Sequence, residues 1–294
     1  MLWRKAAILG VGLLGGSLGL ALRRRGLAGE VTGLVRRTET VAAAVRMGAV
    51  DQASQCLETV VAGADLVVFC TPLGQMEGLG ERLNGVLEAG AVVTDVGSAK
   101  AGVVASLEPR VLAAGGRFVG SHPMAGSERT GVEASREDLF EGAVSVVTPT
   151  EASDAEAVLR VNALWESVGA RVLTMDAGRH DALVSRSSHL PHLVASALVD
   201  CVLGNGADEE QGLLCATGFR DTTRVALGSP EMWRDIGLAN RRALLEALDR
   251  FERSVGGLRQ ALAAGDAEGL GEALRGIRER REEWGRGFSK GGGE

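Results

Sequence analysis

Apolar and polar positions follow two rhythms along this chain. Through the first 175 residues, short continuous apolar runs recur, each followed by a stretch with helical spacing. Residues 6–9, 31–35, 66–70 and 91–95 have strand length and no polar face, as strands of a parallel sheet covered by helices do. Runs at 118–120, 144–148 and 171–175 continue the series. The helical pattern covers residues up to Arg25, then 39–47, 76–87, 99–107 and 155–168, with Pro109 expected to end the fourth of these. Alternation of this kind, with right-handed crossovers, predicts one doubly wound parallel sheet.

After Met175 the strand signal stops. Residues 188–202 and 232–255 are amphipathic, and 258–264 and 270–281 keep the helical habit. Ser229, Pro230 and Glu231 form a helix start, with a capping hydroxyl, a proline at the first turn and an acid beside it. The last ten residues, GRGFSKGGGE, read as a frayed tail. The expected organisation is an α/β domain over 1–175 and an all-helical domain over 176–294. The helix at 193–202 carries more apolar positions than a small domain can bury, which predicts a homodimer formed through the helical domain.

Composition narrows the class. A chain of 294 residues with 45% hydrophobic and 24% charged residues can build two cores. A formal charge of −6 without a basic tract argues against nucleic-acid binding. No apolar run approaches the roughly 20 residues that span a bilayer, and MLWRKAAILG lacks the features of a secretion signal. Cys56, Cys70, Cys201 and Cys215 have no metal-type spacing and are expected as reduced core thiols. These features together predict a cytoplasmic protein that does not associate with membranes.

The chemistry begins at KAAILGVGLLGGSLGL. Gly10, Gly12 and Gly15 have the G-x-G-x-x-G spacing between a strand and a helix, as in a Rossmann-type dinucleotide fold. The first glycine permits the tight turn, the second lets the backbone approach a pyrophosphate, and the third lets helix pack on strand. Backbone N–H groups at Leu13 and Leu14 would open the helix and face the phosphates. An acid at the end of the second strand would bond the adenosine ribose; Val35 stands there, followed by Arg36, Arg37 and Thr38. Two guanidiniums and a hydroxyl suit a 2′-phosphate, so NADP is favoured over NAD.

Ligands of open α/β sheets bind at the carboxyl ends of strands. Thr71-Pro72, Asp95-Val96-Gly97-Ser98 and Gly120-Ser121-His122-Pro123 fall there. His122, in the polar loop SHPMAGSE, is the candidate base, because imidazole accepts a proton near neutrality. Ser98 is the candidate to set its tautomer. In the helical domain His189 and His192 share a face without a third ligand, so a polar contact at the cleft is expected rather than a metal. Arg224, in GFRDTTR, can grip a carboxylate bidentately, with Asp221 orienting it or closing a gate.

GVGLLGGSLGLAL, DVGSAK, SHPMAGSERTGVEAS, SHLPH, GFRDTTR and MWRDI occur in this order between Ala7 and about Phe251. Together they resemble the prephenate/arogenate dehydrogenases of tyrosine biosynthesis. The resemblance implies an oxidative decarboxylation in which hydride passes from the hydroxyl-bearing ring carbon to nicotinamide, the ring carboxylate leaves as carbon dioxide and a phenol forms. It implies that His122 accepts the hydrogen bond of the ring hydroxyl, Ser98 supports His122 and Arg224 holds a substrate carboxylate. Ser127, Ser188, His192 and Trp233 would line the pocket, with Glu128 and Asp221 gating it. Many relatives carry an acid where Val35 stands, which keeps NADP ahead of NAD. Prephenate is the first expectation. Arogenate is the alternative, since Glu128 could pair with its ammonium. A 3-hydroxyacid dehydrogenase would require a lysine–asparagine pair that Lys5, Lys100 and Lys290 are not placed to supply. A cofactor sensor without turnover would not require His122, Ser98 and Arg224 together.

Overall fold

The computed structural model describes residues 1–127, 129–204, 206 and 208–289. Six parallel strands form the main sheet: β1 (Trp3–Leu9), β2 (Ala28–Leu34), β3 (Gln52–Ser54), β4 (Leu66–Phe69), β5 (Val92–Asp95) and β6 (Arg117–Phe118). Their order is β3-β2-β1-β4-β5-β6, so the chain reverses direction across the sheet between β1 and β4. Such a switch point opens a crevice at the strand carboxyl ends. The crossovers are α1 (Leu13–Arg24), α2 (Thr38–Arg46), α3 (Leu57–Val61), α4 (Leu73–Glu81) and α5 (Ala101–Ala113).

Alternate residues of β1 enter opposite cores. Ala6 and Ile8 join Leu18, Leu22 and Trp165 on one face. Ala7 and Leu9 join Phe69, Leu107 and Phe118 on the other. Both faces of the sheet are therefore dry, which accounts for the strands' continuous apolar runs. Helix α5 does not stop at Pro109 as expected. Pro109 and Ala105, whose carbonyl loses its N–H partner, lie on the exposed side, so water can replace the missing bond while Leu107 and Val111 stay buried.

The last three strands do not join the single sheet expected from the sequence. β7 (Gly120–Pro123), β8 (Val144–Thr148) and β9 (Arg171–Thr174) form a separate sheet in which β7 runs antiparallel to β8 and β8 parallel to β9. The run expected at 118–120 is cut at Val119: Phe118 ends β6, and Gly120 already pairs with Thr148. Ser121 fastens the new strand to the main sheet. Its N–H reaches Asp95 Oδ1 at 3.1 Å, its hydroxyl reaches the Asp95 carbonyl at 2.6 Å, and the Trp165 indole of α6 (Ala155–Ser167) donates to its Oγ at 3.0 Å.

Beyond β9 the described residues hold only helices and turns. Helix α7 (Ala177–Val184), capped by Asp176, passes through a π-helical turn, Ser185–His189, into α8 (Leu190–Leu203). Pro191 at the start of α8 has no N–H to continue the ordinary ladder, and the wider turn absorbs that gap. Then come α9 (Glu209–Leu214), α10 (Thr217–Thr223), a 3₁₀ turn Arg224–Leu227, and α11 (Pro230–Ala239), whose N-cap Ser229 accepts from Met232 N–H. The amphipathic stretch expected at 232–255 is broken at Asn240. A new helix, α12 (Arg241–Ala264), begins there, followed by α13 (Ala267–Ser289), which includes the first five residues of the expected tail; 290–294 lie outside the described residues.

The chain forms two compact units, Met1–Arg241 and Arg242–Glu294. The four cysteines are free, but Cys56 and Cys201 are exposed rather than in the core as expected. Among the described residues no helix is long and apolar enough to cross a membrane.

Candidate active site

The opening glycines stand as their spacing requires. Gly10 has φ +105°, and a side chain there would meet the Cys70 carbonyl at 2.8 Å. A Cβ on Gly15 would lie 2.1 Å from the Gly10 carbonyl, so helix and turn touch through it. A Cβ on Gly12 would meet nothing within 4 Å: this glycine faces open space. Gly12 caps α1 without a side-chain acceptor, so the first N–H groups, at Leu13 and Leu14, are left for a ligand. These features fit a dinucleotide, whose pyrophosphate the backbone at Gly12, Leu13 and Leu14 would hold.

The space they face is a cavity of about 1390 Å³. Gly10, Gly12, Arg36, Arg37, Thr71 and Pro72 line it. Thr38, by contrast, is the first residue of α2, and Glu39 and Thr40 take the wall position beside the arginines. The buried Thr71 hydroxyl has no hydrogen-bond partner, which marks a polar contact that a ligand can complete. Glu133, on a 3₁₀ turn Val132–Ala134 that seats against α1 and α2, closes another side.

His122 lies in β7, held by the Ser121 clamp, and is 7% exposed. Its Nδ1 is 2.8 Å from His180 Nε2, and His180 Nδ1 is 2.8 Å from Asp181 Oδ1. At Nδ1 the partner of His122 is therefore His180 of α7 and not Ser98, which lies half-buried on the turn after β5. Burial, reinforced by the buried Lys100 and the neighbouring imidazoles, pushes the His122 imidazole well below its ordinary range, so it is neutral and can accept. Burial alone would raise the Asp181 carboxyl. The bonds from His180 and the backbone N–H groups of Lys100 and Ala101 outweigh it and keep the carboxyl low. The fully buried side chain of Lys100 does not enter this chain directly: its ammonium pairs with Asp95 and donates to the Ser121 carbonyl.

The network continues into the helices. Asn240 Nδ2 donates to the Asp181 carbonyl at 2.8 Å and lies 3.2 Å from His189 Nδ1. His189 meets the Trp233 ring edge-on at 6.2 Å, and His192 stacks on Trp233 at 3.6 Å with the planes 6° apart. The chain's four histidines thus belong to one connected cluster. Among the described residues no group of His, Cys, Asp and Glu has a metal-binding arrangement.

Trp233 is carried by α11, which packs on α4 in the wall of the dinucleotide cavity. Arg224 opens the 3₁₀ turn packed against α8 and is exposed, as is Asp221 one turn earlier. Ser188 lies half-buried in the π-turn. Ser127 is exposed, and its Oγ accepts from Arg129 N–H at 2.9 Å. Glu128 and Lys290 lie outside the described residues. Sequence reasoning missed His180, Asp181 and Asn240. The one available signal was the adjacent His-Asp pair in a chain of four histidines.

Two family models cover almost all of this chain: the nucleotide-binding domain of prephenate dehydrogenase over residues 18–174 and its dimerization domain over 176–276. The chain belongs to the prephenate dehydrogenase family. The prephenate dehydrogenase of Bacillus subtilis is 35% identical over 270 residues, 90% of this chain and 71% of that protein. The crystal structure of prephenate dehydrogenase from A. aeolicus with hydroxyphenyl propionate and NAD+ superposes with a TM-score of 0.89 at 36% identity, over 95% of this chain and 98% of that one. Synechocystis arogenate dehydrogenase superposes with a TM-score of 0.80 at 31% identity, over 95% and 99%. The family accounts for the doubly wound sheet, the helical region and the nicotinamide-dependent oxidoreductase chemistry.

Proposed function

We propose that this protein oxidises and decarboxylates prephenate to 4-hydroxyphenylpyruvate in tyrosine biosynthesis, in the cytoplasm. The observation that carries the reading is a buried, neutral His122 on β7, the strand clamped to the main sheet through Ser121, with its Nδ1 already bonded to His180. Nε2 is then the atom left to accept a hydrogen bond from the ring hydroxyl, drawing electron density toward the carbon that loses hydride. The nicotinamide, when bound, supplies the hydride acceptor. Loss of carbon dioxide restores aromaticity and drives the reaction forward. The protein's contribution is orientation and a dry, preorganised field.

Arg224 would hold a substrate carboxylate, and Ser127, Ser188, His192 and Trp233 would line the pocket, with Asp221 and Glu128 at its mouth. Ser98 would support His122 from the turn after β5. Gly10, Gly12, Leu13, Leu14, Gly15, Thr71 and Pro72 would hold the dinucleotide. NADP is favoured over NAD because Arg36 and Arg37 stand in the cavity wall with no acid at Val35, although Glu39 and Glu133 share that wall. A boundary at Met175–Asp176 and a homodimer through the helical part complete the reading. Exposed apolar side chains such as Leu213, Leu214, Leu262 and Leu274 support the dimer.

The test is an assay of purified protein with prephenate and with arogenate, each against NADP and NAD. Prephenate with NADP is expected to give the highest kcat/KM. No nicotinamide reduction in any of the four pairings would overturn the reading.

A further inference from the structure

We infer that Asp181 and His180 are positioning residues that hold His122 as the tautomer protonated at Nδ1, leaving Nε2 bare toward the substrate. The inference rests on the dehydrogenase reading above.

Asp181 is fixed by two backbone amides. Its Oδ1 takes the N–H of Lys100 at 2.7 Å and its Oδ2 that of Ala101 at 2.9 Å. The donors are the N-cap and the first residue of the 13-residue helix α5, where unpaired N–H groups and the helix dipole favour an anion. A carboxylate only accepts, so the contact between Asp181 Oδ1 and His180 Nδ1 carries its hydrogen on the imidazole. When that is the one hydrogen His180 carries, its lone pair lies on Nε2, and the 2.8 Å contact there is donated by His122 Nδ1. A neutral imidazole with hydrogen on Nδ1 has none on Nε2. One anion fixed by two backbone amides thereby determines, across two rings, that the atom facing the ring hydroxyl accepts rather than donates.

The same logic gives His189 the opposite tautomer. Asn240 Nδ2 uses one hydrogen on the Asp181 carbonyl and aims the other at His189 Nδ1. That leaves the His189 hydrogen on Nε2. This contrast between rings in one cluster provides an internal control.

The direct test is a long-range ¹H–¹⁵N spectrum of the intact protein near neutral pH. Its four histidines can be assigned by substitution. The expected spectrum shows His122 and His180 protonated at Nδ1 and His189 at Nε2. A hydrogen on Nε2 of either His122 or His180 would overturn the inference, whatever the enzyme's activity. Substrate turnover by the unaltered protein tests the functional reading separately.

Two variants add a kinetic readout. In His180→Gln the carboxamide can still accept from His122 and donate to Asp181, whereas His180→Leu can do neither. A wrong tautomer in the serine-protease triad lowers kcat by roughly 10⁴. His180→Leu is therefore expected to lose at least about 10²-fold in kcat with little change in the KM for NADP, and His180→Gln to recover about tenfold or more of that loss. If both variants fold and Gln is no more active than Leu, His180 is only a packing residue. If His180→Leu fails to fold, the spectrum and the Gln variant decide.

Discussion

Val35, Arg36 and Arg37 occupy three consecutive positions with opposed demands. Val35 is buried and its N–H bonds the Ser54 carbonyl, while the two arginines are exposed at the cavity wall. If they bind a 2′-phosphate, removing one charge-assisted bond costs about 1.5–3 kcal/mol. Arg36→Ala or Arg37→Ala is thus expected to raise the KM for NADP by about tenfold or more while leaving that for NAD within about threefold. Steady-state kinetics with both coenzymes checks this, and parallel losses for the two would contradict it. The placement of His122 and the arginines at strand ends was legible in the sequence because strand-end loops carry their own local signature. Asp181 and His180 were not. His180 sits 58 residues from His122, with Asp181 next to it, in a stretch, GRHDALV, that reads as ordinary helix and whose contact with His122 exists only once α7 docks on α5.

Helices and turns show what spacing alone can foresee. The three motif glycines look alike in sequence but differ in what surrounds them. Gly15→Ala would press a methyl into the Gly10 carbonyl, so a loss of several kcal/mol or failure to fold is expected. Gly12→Ala faces open space, so its stability should stay within about 1 kcal/mol of the unaltered protein while the KM for NADP rises. Thermal melts combined with kinetics separate the two. Equal destabilisation of both variants would contradict the roles assigned to them. The second sheet was not visible in the sequence, because an apolar run such as VSVVT fits a parallel or a mixed sheet equally well. The extension of α5 past Pro109 was hidden for a related reason: tolerance of proline there depends on which side of the helix meets water.

Across the whole molecule the buried histidines link acid to stability. His189 is pushed down to about 4 by burial, and burial also lowers His122 and His192. Below the ordinary pKa of 6.5 the unfolded chain binds protons that these native rings refuse. Stability should then fall as pH drops from about 6.5 toward about 4, His189 alone contributing on the order of 3 kcal/mol. Asp181, held low, adds a further loss at still lower pH as its carboxylate is protonated. Denaturant melts across this range check the sign, and flat stability between pH 6.5 and 4 would contradict it. The apolar side chains left exposed on α9, α12 and α13 predict sedimentation at twice the 30.5 kDa chain mass.

In the proposed reaction the bare nitrogen of His122 takes the hydrogen bond of the substrate's ring hydroxyl. Comparing His122→Asn with the unaltered protein at saturating prephenate and NADP tests it most directly, with ligand affinities measured alongside. The expected result is a loss of about 10²–10⁴ in kcat with both affinities within about threefold. Turnover by His122→Asn within threefold of the unaltered protein would contradict it.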